Sequence, residues 1–180
     1  MAFDSEQLGI LRGSALALAF ALPAAGAGYT WLPAKWFGLS DAMTMGDQIA
    51  FALKADLLLF VWLAWCVRAV SKRRFRSPVD RKGSAFGPPS EAIAIPAAML
   101  QNSLEQTVLA FGAHLVLATV LQGPELVIIP LLVVLYVVGR VTFSLGYSQG
   151  AARRSFGMAL TAAPTIASYV VAAGLMIAGR

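Results

Sequence analysis

The sequence predicts an all-α integral membrane protein, a bundle of spanning helices. Three observations predict it. Hydrophobic residues make up 58% of the 180 residues and charged residues 13%, against roughly 45–50% and about 25% in a soluble domain. The apolar residues are gathered into runs near the ~20 residues that a spanning helix needs. The basic residues sit mostly in the connections beside those runs. Membrane topology therefore accounts for the net charge of +5 with fewer assumptions than a nucleic-acid partner does.

Five runs qualify as spans. The first covers residues 8–32 and holds Arg12 near its start and Pro23 inside. Its Ala24-Ala25-Gly26-Ala27 stretch resembles the cleavage region of a secretion signal. Asp4 and Glu6 precede it, however, where a signal carries positive charge, so it is expected to stay as a true span. Pro23, Gly26 and Gly28 are candidates to kink or end it. The second run covers residues 49–70, the third 93–121, the fourth 126–147 and the fifth 156–178. The stretch 83–90, with Gly87, Pro88 and Pro89, reads as loop.

Charge orients the bundle. The connection after the second run carries Lys72, Arg73, Arg74, Arg76, Arg81 and Lys82, and the turn before the fifth carries Arg153 and Arg154. Alternating spans put both on one side. The opposite connections hold Lys35 as their one basic residue, with Glu125 between the third and fourth runs. The excess of positive charge on cytoplasmic loops then predicts a cytoplasmic N-terminus in a multi-pass protein, of a bacterial inner-membrane type.

Polar residues inside apolar helices are costly, so they are the ones to question. Lys54 and Asp56 lie near the outer end of the second span, where a lysine reaches the headgroups, and they read as structural. Trp31, Trp36, Trp62 and Trp65 read as interfacial or lipid-facing anchors. Cys66 is a lone cysteine in an apolar run and reads as a small buried residue. His114, without Cys, Asp or Glu at ligand spacing, reads as a packing or hydrogen-bonding residue, and no metal site is expected.

A different set converges. Asn102 and Glu105 share a face near the start of the third span. Arg140, Ser144 and Tyr147 share a face at the end of the fourth, and Arg153 and Arg154 open the fifth. Topology gathers these at one depth on the cytoplasmic side. Glu105 and Arg140 are candidates for a buried ion pair, and Asn102 and Ser103 for interhelical hydrogen bonds; the alternative is a binding site.

At these residues the sequence resembles the MAPEG family, membrane proteins of eicosanoid and glutathione metabolism. The resemblance rests on Asn102-x-x-Glu105, then Gly139-Arg140-x-x-Phe143-x-x-Gly146-Tyr147, then Arg154. It implies a four-helix MAPEG-like bundle over residues 49–180, preceded by an extra N-terminal transmembrane helix and outer loop over residues 1–48. It also implies a homotrimer with glutathione, as co-substrate, bound between subunits at the cytoplasmic side. Asn102, Glu105, Arg140 and Tyr147 would contact glutathione, Arg154 would stand at the thiol beside Arg153, and Arg73 or Arg74 would help hold its carboxylates.

The function so implied is a glutathione-dependent transferase or peroxidase acting on small lipophilic electrophiles. The second reading is a non-catalytic protein of the same fold that binds a lipid or other ligand. A small channel or transporter ranks third, because the polar groups are expected at one depth and not as a trail across the bilayer. Two positions depart from the family pattern: Ala98 stands where an arginine is usual, four residues before Asn102, and Phe143 where Tyr or His is frequent.

Overall fold

The computed structural model describes residues 3–180. Asp4 starts the first helix, α1 (Ser5–Trp31): its carboxylate accepts from the Gln7 N–H at 2.7 Å, and the Gln7 side chain accepts from the Asp4 N–H at 3.0 Å. This reciprocal pair satisfies two donors that a helix start leaves free. Pro23 lies inside α1 without ending it. Thr44 and Asp47 start α2 (Met45–Ala55) in the same manner. There follow α3 (Leu57–Arg76), α4 (Glu91–Val120), α5 (Ile128–Gly146) and α6 (Ala151–Ile177).

Among the described residues, five helical stretches are long and apolar enough to cross a membrane, with α2 and α3 together making one of them. The expected second span is thus broken at Asp56, which ends α2 and begins α3. The cause lies in the bundle. The Asp56 side chain turns inward, is fully buried, and accepts from His114 Nδ1 on α4 at 2.5 Å. Asp56 is structural, as expected, but it lies in the core of the bundle and not at its periphery, and His114 is the hydrogen-bonding residue it was expected to be. Cys66 is buried, as expected. Trp31, Trp36 and Trp65 are exposed, whereas Trp62 points partly inward and donates to Ser103 at 3.1 Å.

The connection between α3 and α4 is an ordered strap. The Asp80 carboxylate accepts from the Ser77 hydroxyl, from the Ser90 N–H at 2.9 Å and from the Ser90 hydroxyl at 2.7 Å. These bonds, the Ser77 hydroxyl first, hold the Asp80 carboxyl below its ordinary pKa, and the nearby Arg74 charge adds to them against the opposing effect of burial.

The centre of the bundle is α5, which buries Ile129, Leu132, Val133, Leu135, Tyr136, Arg140 and Phe143. It crosses α6 at very close range. A Cβ at Gly157 would overlap the Phe143 backbone nitrogen, and one at Gly146 would sit 2.5 Å from the Arg153 carbonyl oxygen. Glycine is needed where backbones approach this closely. Helix α1 lies along α6, with Gly9 against Ala152 and Gly13 against Ser155, so the two helices run in the same direction. The starts of α1, α4 and α6 and the ends of α3 and α5 therefore share one end of the bundle, the end that carries the basic residues. At the opposite end Arg180 pairs with Glu125 at 3.0 Å.

Candidate functional site

At the basic end three helices meet. The fourth turn of α4 carries Asn102 inward, toward Arg140. The last turns of α5 carry Arg140, Phe143 and Tyr147 at steps of three and four, hence on one face. The start of α6 brings Arg153 and Arg154. The tight crossing at Gly146 and Gly157 sets the α6 start against the α5 end, so Tyr147 and Arg154 touch: the guanidinium carbon lies 4.6 Å from the ring centroid.

Between them is a cavity of about 380 Å³, lined by Asn102 of α4, Phe143 and Tyr147 at the end of α5, and Arg154, Ser155 and Met158 of α6. Its remaining side is α1, through Ile10 and Ser14. Most of the lining is apolar, and the polar groups are few and convergent, the usual composition of a small-molecule site.

Behind this wall lies Arg140, fully buried. Its Nη2 donates to Asn102 Oδ1 at 2.9 Å, and its guanidinium stacks over the Phe143 ring at 4.2 Å. Its Nε and Nη1 have no hydrogen-bond partner. Phe143 and Tyr147 in turn meet edge to face at 5.3 Å. A line of contact therefore runs from Arg140 through Asn102 and Phe143 to Tyr147 and Arg154, with cations at both ends.

Electrostatics at the α6 start point the same way. Gly150 precedes the helix at φ 102° and offers no side-chain cap. The free N–H groups of the first turn and the two arginines there all carry positive charge or partial charge. Cations at a helix start oppose the helix dipole, whereas an anion is stabilised there. The arrangement fits an anionic atom beside Arg154.

The other expected residues are placed apart from the cavity. Glu105 is exposed and accepts from Gln101 Nε2 at 2.9 Å. It does not pair with Arg140; the partner of Arg140 is Asn102. Arg153 is exposed. Arg73 lines a separate cavity of about 360 Å³ with Cys66, Glu91, Met99 and Ser148. Arg74 lies near Asp80 and not in the cavity with Arg154. No group of three or more metal-ligating side chains occurs among the described residues.

Polar residues are also less confined in depth than expected. His114 is twelve residues beyond Asn102 on α4, about 18 Å along the axis at 1.5 Å per residue. Between the two levels Ser103 and Thr107 are linked, and Thr107 meets the Tyr136 hydroxyl at 2.6 Å. Buried Ala110 and Ala113 then interrupt the line before His114. Sequence reasoning missed both the Asp56–His114 contact and the contribution of α1 to the cavity. The signal for α1 was present in Gly9, Gly13, Ala17 and Ala21, small residues at steps of four that mark a close helix contact.

The family model described as the MAPEG family matches residues 50–174. No curated protein and no solved structure matches the chain.

Proposed function

The chain belongs to the MAPEG family, and on that premise we propose that it is a membrane-embedded, glutathione-dependent transferase or peroxidase acting on lipophilic electrophiles. The observation that carries this reading is the single cavity shared by Asn102, Tyr147 and Arg154 at the uncapped start of α6. A thiol beside Arg154 meets a full positive charge and the positive end of a helix. Both lower its pKa and raise its thiolate fraction. The thiolate sulfur then supplies the nucleophile for an electrophilic carbon.

The chain's own residues divide the remaining work. Tyr147 carries a hydroxyl at the cavity and holds the Arg154 guanidinium over its ring. Asn102, fixed by Arg140, presents its amide N–H₂ for an acceptor. The two free Arg140 donors provide positive potential behind the wall. Glu105 and Arg73 lie on the protomer surface, where a homotrimer would bring them to a neighbouring subunit's site. The basic end faces the cytoplasm in this reading, by the charge of its loops.

The second reading, a ligand-binding protein without catalysis, is favoured by Ala98 and Phe143. Neither offers the carboxylate anchor or the hydrogen-bond donor that the family pattern leads one to expect. Calorimetric titration of the purified protein with glutathione separates the two. The transferase reading expects saturable binding that weakens in Asn102→Ala. Absence of binding at millimolar glutathione leaves the ligand-binding reading in place.

A further inference from the structure

The family match begins at residue 50, so α1 lies outside it, yet α1 is part of the cavity. Two stripes of residues run the length of the α1–α6 seam. On α1, Ile10 and Ser14 line the cavity that holds Arg154, and Leu18, Leu22, Ala25 and Tyr29 line a second one. On α6, Ala151, Ser155 and Ala159 line the first, and Ala163, Ala167 and Val171 line the second. Steps of three and four keep each set on one helix face. The second cavity, about 350 Å³, is closed on its inner side by Leu117 and Leu121 of α4 and by Leu132 and Leu135 of α5. Its outer lip is exposed, with Leu18 at 43% and Leu22 at 69%, so it opens toward the bilayer.

One turn separates the cavities, from Ser14 to Leu18 and from Ala159 to Ala163, about 6 Å at 1.5 Å per residue. That turn holds Ala15, Leu16 and Ala17 on α1 and Leu160, Thr161 and Ala162 on α6, with no charged side chain. The two cavities thus lie in line along the seam, the first carrying Arg154 and the second apolar. Helix α1 is held to α6 closely. A Cβ at Gly9 would stand 2.6 Å from the Ala152 Cβ, one at Gly13 would overlap the Ser155 hydroxyl, and Ala17 is fully buried.

We propose that α1 is the acceptor wall of the site, and that the acceptor is a single-chain amphiphile. Its polar or reactive end lies against Ile10 and Ser14 beside Arg154, and its alkyl tail lies in the apolar groove between Leu18–Tyr29 of α1 and Ala163–Val171 of α6. The word acceptor rests on the transferase reading above; the tail groove does not. Charge selects the orientation, because Arg154 marks the head end. The lining of the second cavity extends along α1 from Leu18 to Tyr29, about 16 Å at 1.5 Å per residue, a length that suits an extended alkyl chain better than a compact ring system.

The test uses the full chain in lipid nanodiscs. A long-chain fatty acid with a diazirine near the tail end is added, the sample is irradiated, and labelled positions are mapped by mass spectrometry. Labelling is expected at Leu18, Leu22, Ala163 and Ala167, with loss in Ala163→Trp and in Ala167→Trp, either of which fills the groove. Equal labelling of the bilayer-facing Leu16 and Phe20, or labelling that persists in both tryptophan variants, overturns the groove. Glutathione binding is measured on the same preparations by calorimetry. Groove labelling without glutathione binding overturns the acceptor role and the transferase reading together, and leaves the tail site standing. With glutathione bound, Leu18→Trp, at a position that lines only the second cavity, is expected to lower turnover of alkyl acceptors while leaving glutathione affinity unchanged; unchanged turnover overturns α1 as a wall of the acceptor groove.

Discussion

Two polar regions interrupt this apolar bundle, and they differ in how they are closed. Asp56 and His114 are buried at 0% and 1% exposure and face each other at 2.5 Å. They tie the break between α2 and α3 to the middle of α4. Asn102, Tyr147 and Arg154 instead line an open cavity, and the buried Arg140 behind them keeps two donors without partners. The first region is closed on itself through one Asp56 oxygen, while the other, Oδ2, is buried without a partner. The second sets Arg154 against space that a ligand can fill, with Arg140 buried behind it. An intramembrane polar residue is therefore read as structural or functional by what it meets, because the sequence cost of placing it there is similar in both cases.

The comparison predicts opposite responses to mutation. The largest effect on stability is expected at the closed pair. Asp56→Ala or His114→Ala leaves a buried polar partner alone, which typically costs about 3–5 kcal/mol when the pair is ionic. The joint Asp56→Leu, His114→Leu variant is expected to recover much of that loss, since no buried polar group is left without its partner. Unfolding in detergent, followed by circular dichroism, measures both. A double variant as unstable as the singles would break the comparison.

At the open region the loss is expected in chemistry rather than in stability. The Arg154 guanidinium stacks on the Tyr147 ring and, among the described residues, makes no side-chain hydrogen bond or ion pair, so Arg154→Ala is expected to fold normally. A nearby opposite charge lowers a pKa by about 1–3 units, so with a free thiol near ~8.5 the thiolate fraction at pH 7 is expected to fall roughly eight- to thirtyfold. Conjugation rates with a soluble model electrophile follow it. Arg153→Ala, at an exposed position, is expected to change little. Tyr147→Phe keeps the ring between Phe143 and Arg154 and removes one hydroxyl, so a loss of about 1 kcal/mol in glutathione affinity is expected.

The smallest effect is expected at the Asp80 strap, which belongs to neither region. Its carboxyl pKa is lowered in the folded chain by Ser77, Ser90 and Arg74. The contribution to stability is thus present above the ordinary aspartate value, about 3.9, and is lost as the pH falls through the lowered folded value. Hydrogen exchange over residues 77–90 is expected to stay slow at neutral pH and to accelerate in acid. Asp80→Asn is expected to exchange fast throughout.

Much of this was legible in the residues. Run lengths and basic connections located five spans, and steps of three and four placed Arg140, Phe143 and Tyr147 on one face. Two parts were not legible, for physical reasons. The Asp56–His114 contact joins residues 58 positions apart, and helical periodicity says nothing about which neighbour a side chain meets. The retention of Arg140 by Asn102 instead of Glu105 depends on the rotation of α4, which a three-residue spacing does not set. The role of α1 was concealed for another reason. Its Gly9-to-Ala21 pattern announces a close contact without naming the partner helix, and only the packing against Ala152 and Ser155 brings Ile10 and Ser14 to the cavity.

The central claim is that Arg154 and the start of α6 hold a thiolate. The most direct measurement is the ultraviolet thiolate absorbance of protein-bound glutathione, titrated with pH in the wild type and in Arg154→Ala. The account predicts an apparent thiol pKa well below the ~8.5 of a free cysteine thiol in the wild type, and a return toward that value in Arg154→Ala with the fold intact. A thiolate that survives in Arg154→Ala, or a bound thiol that titrates at its free value in the wild type, would contradict it.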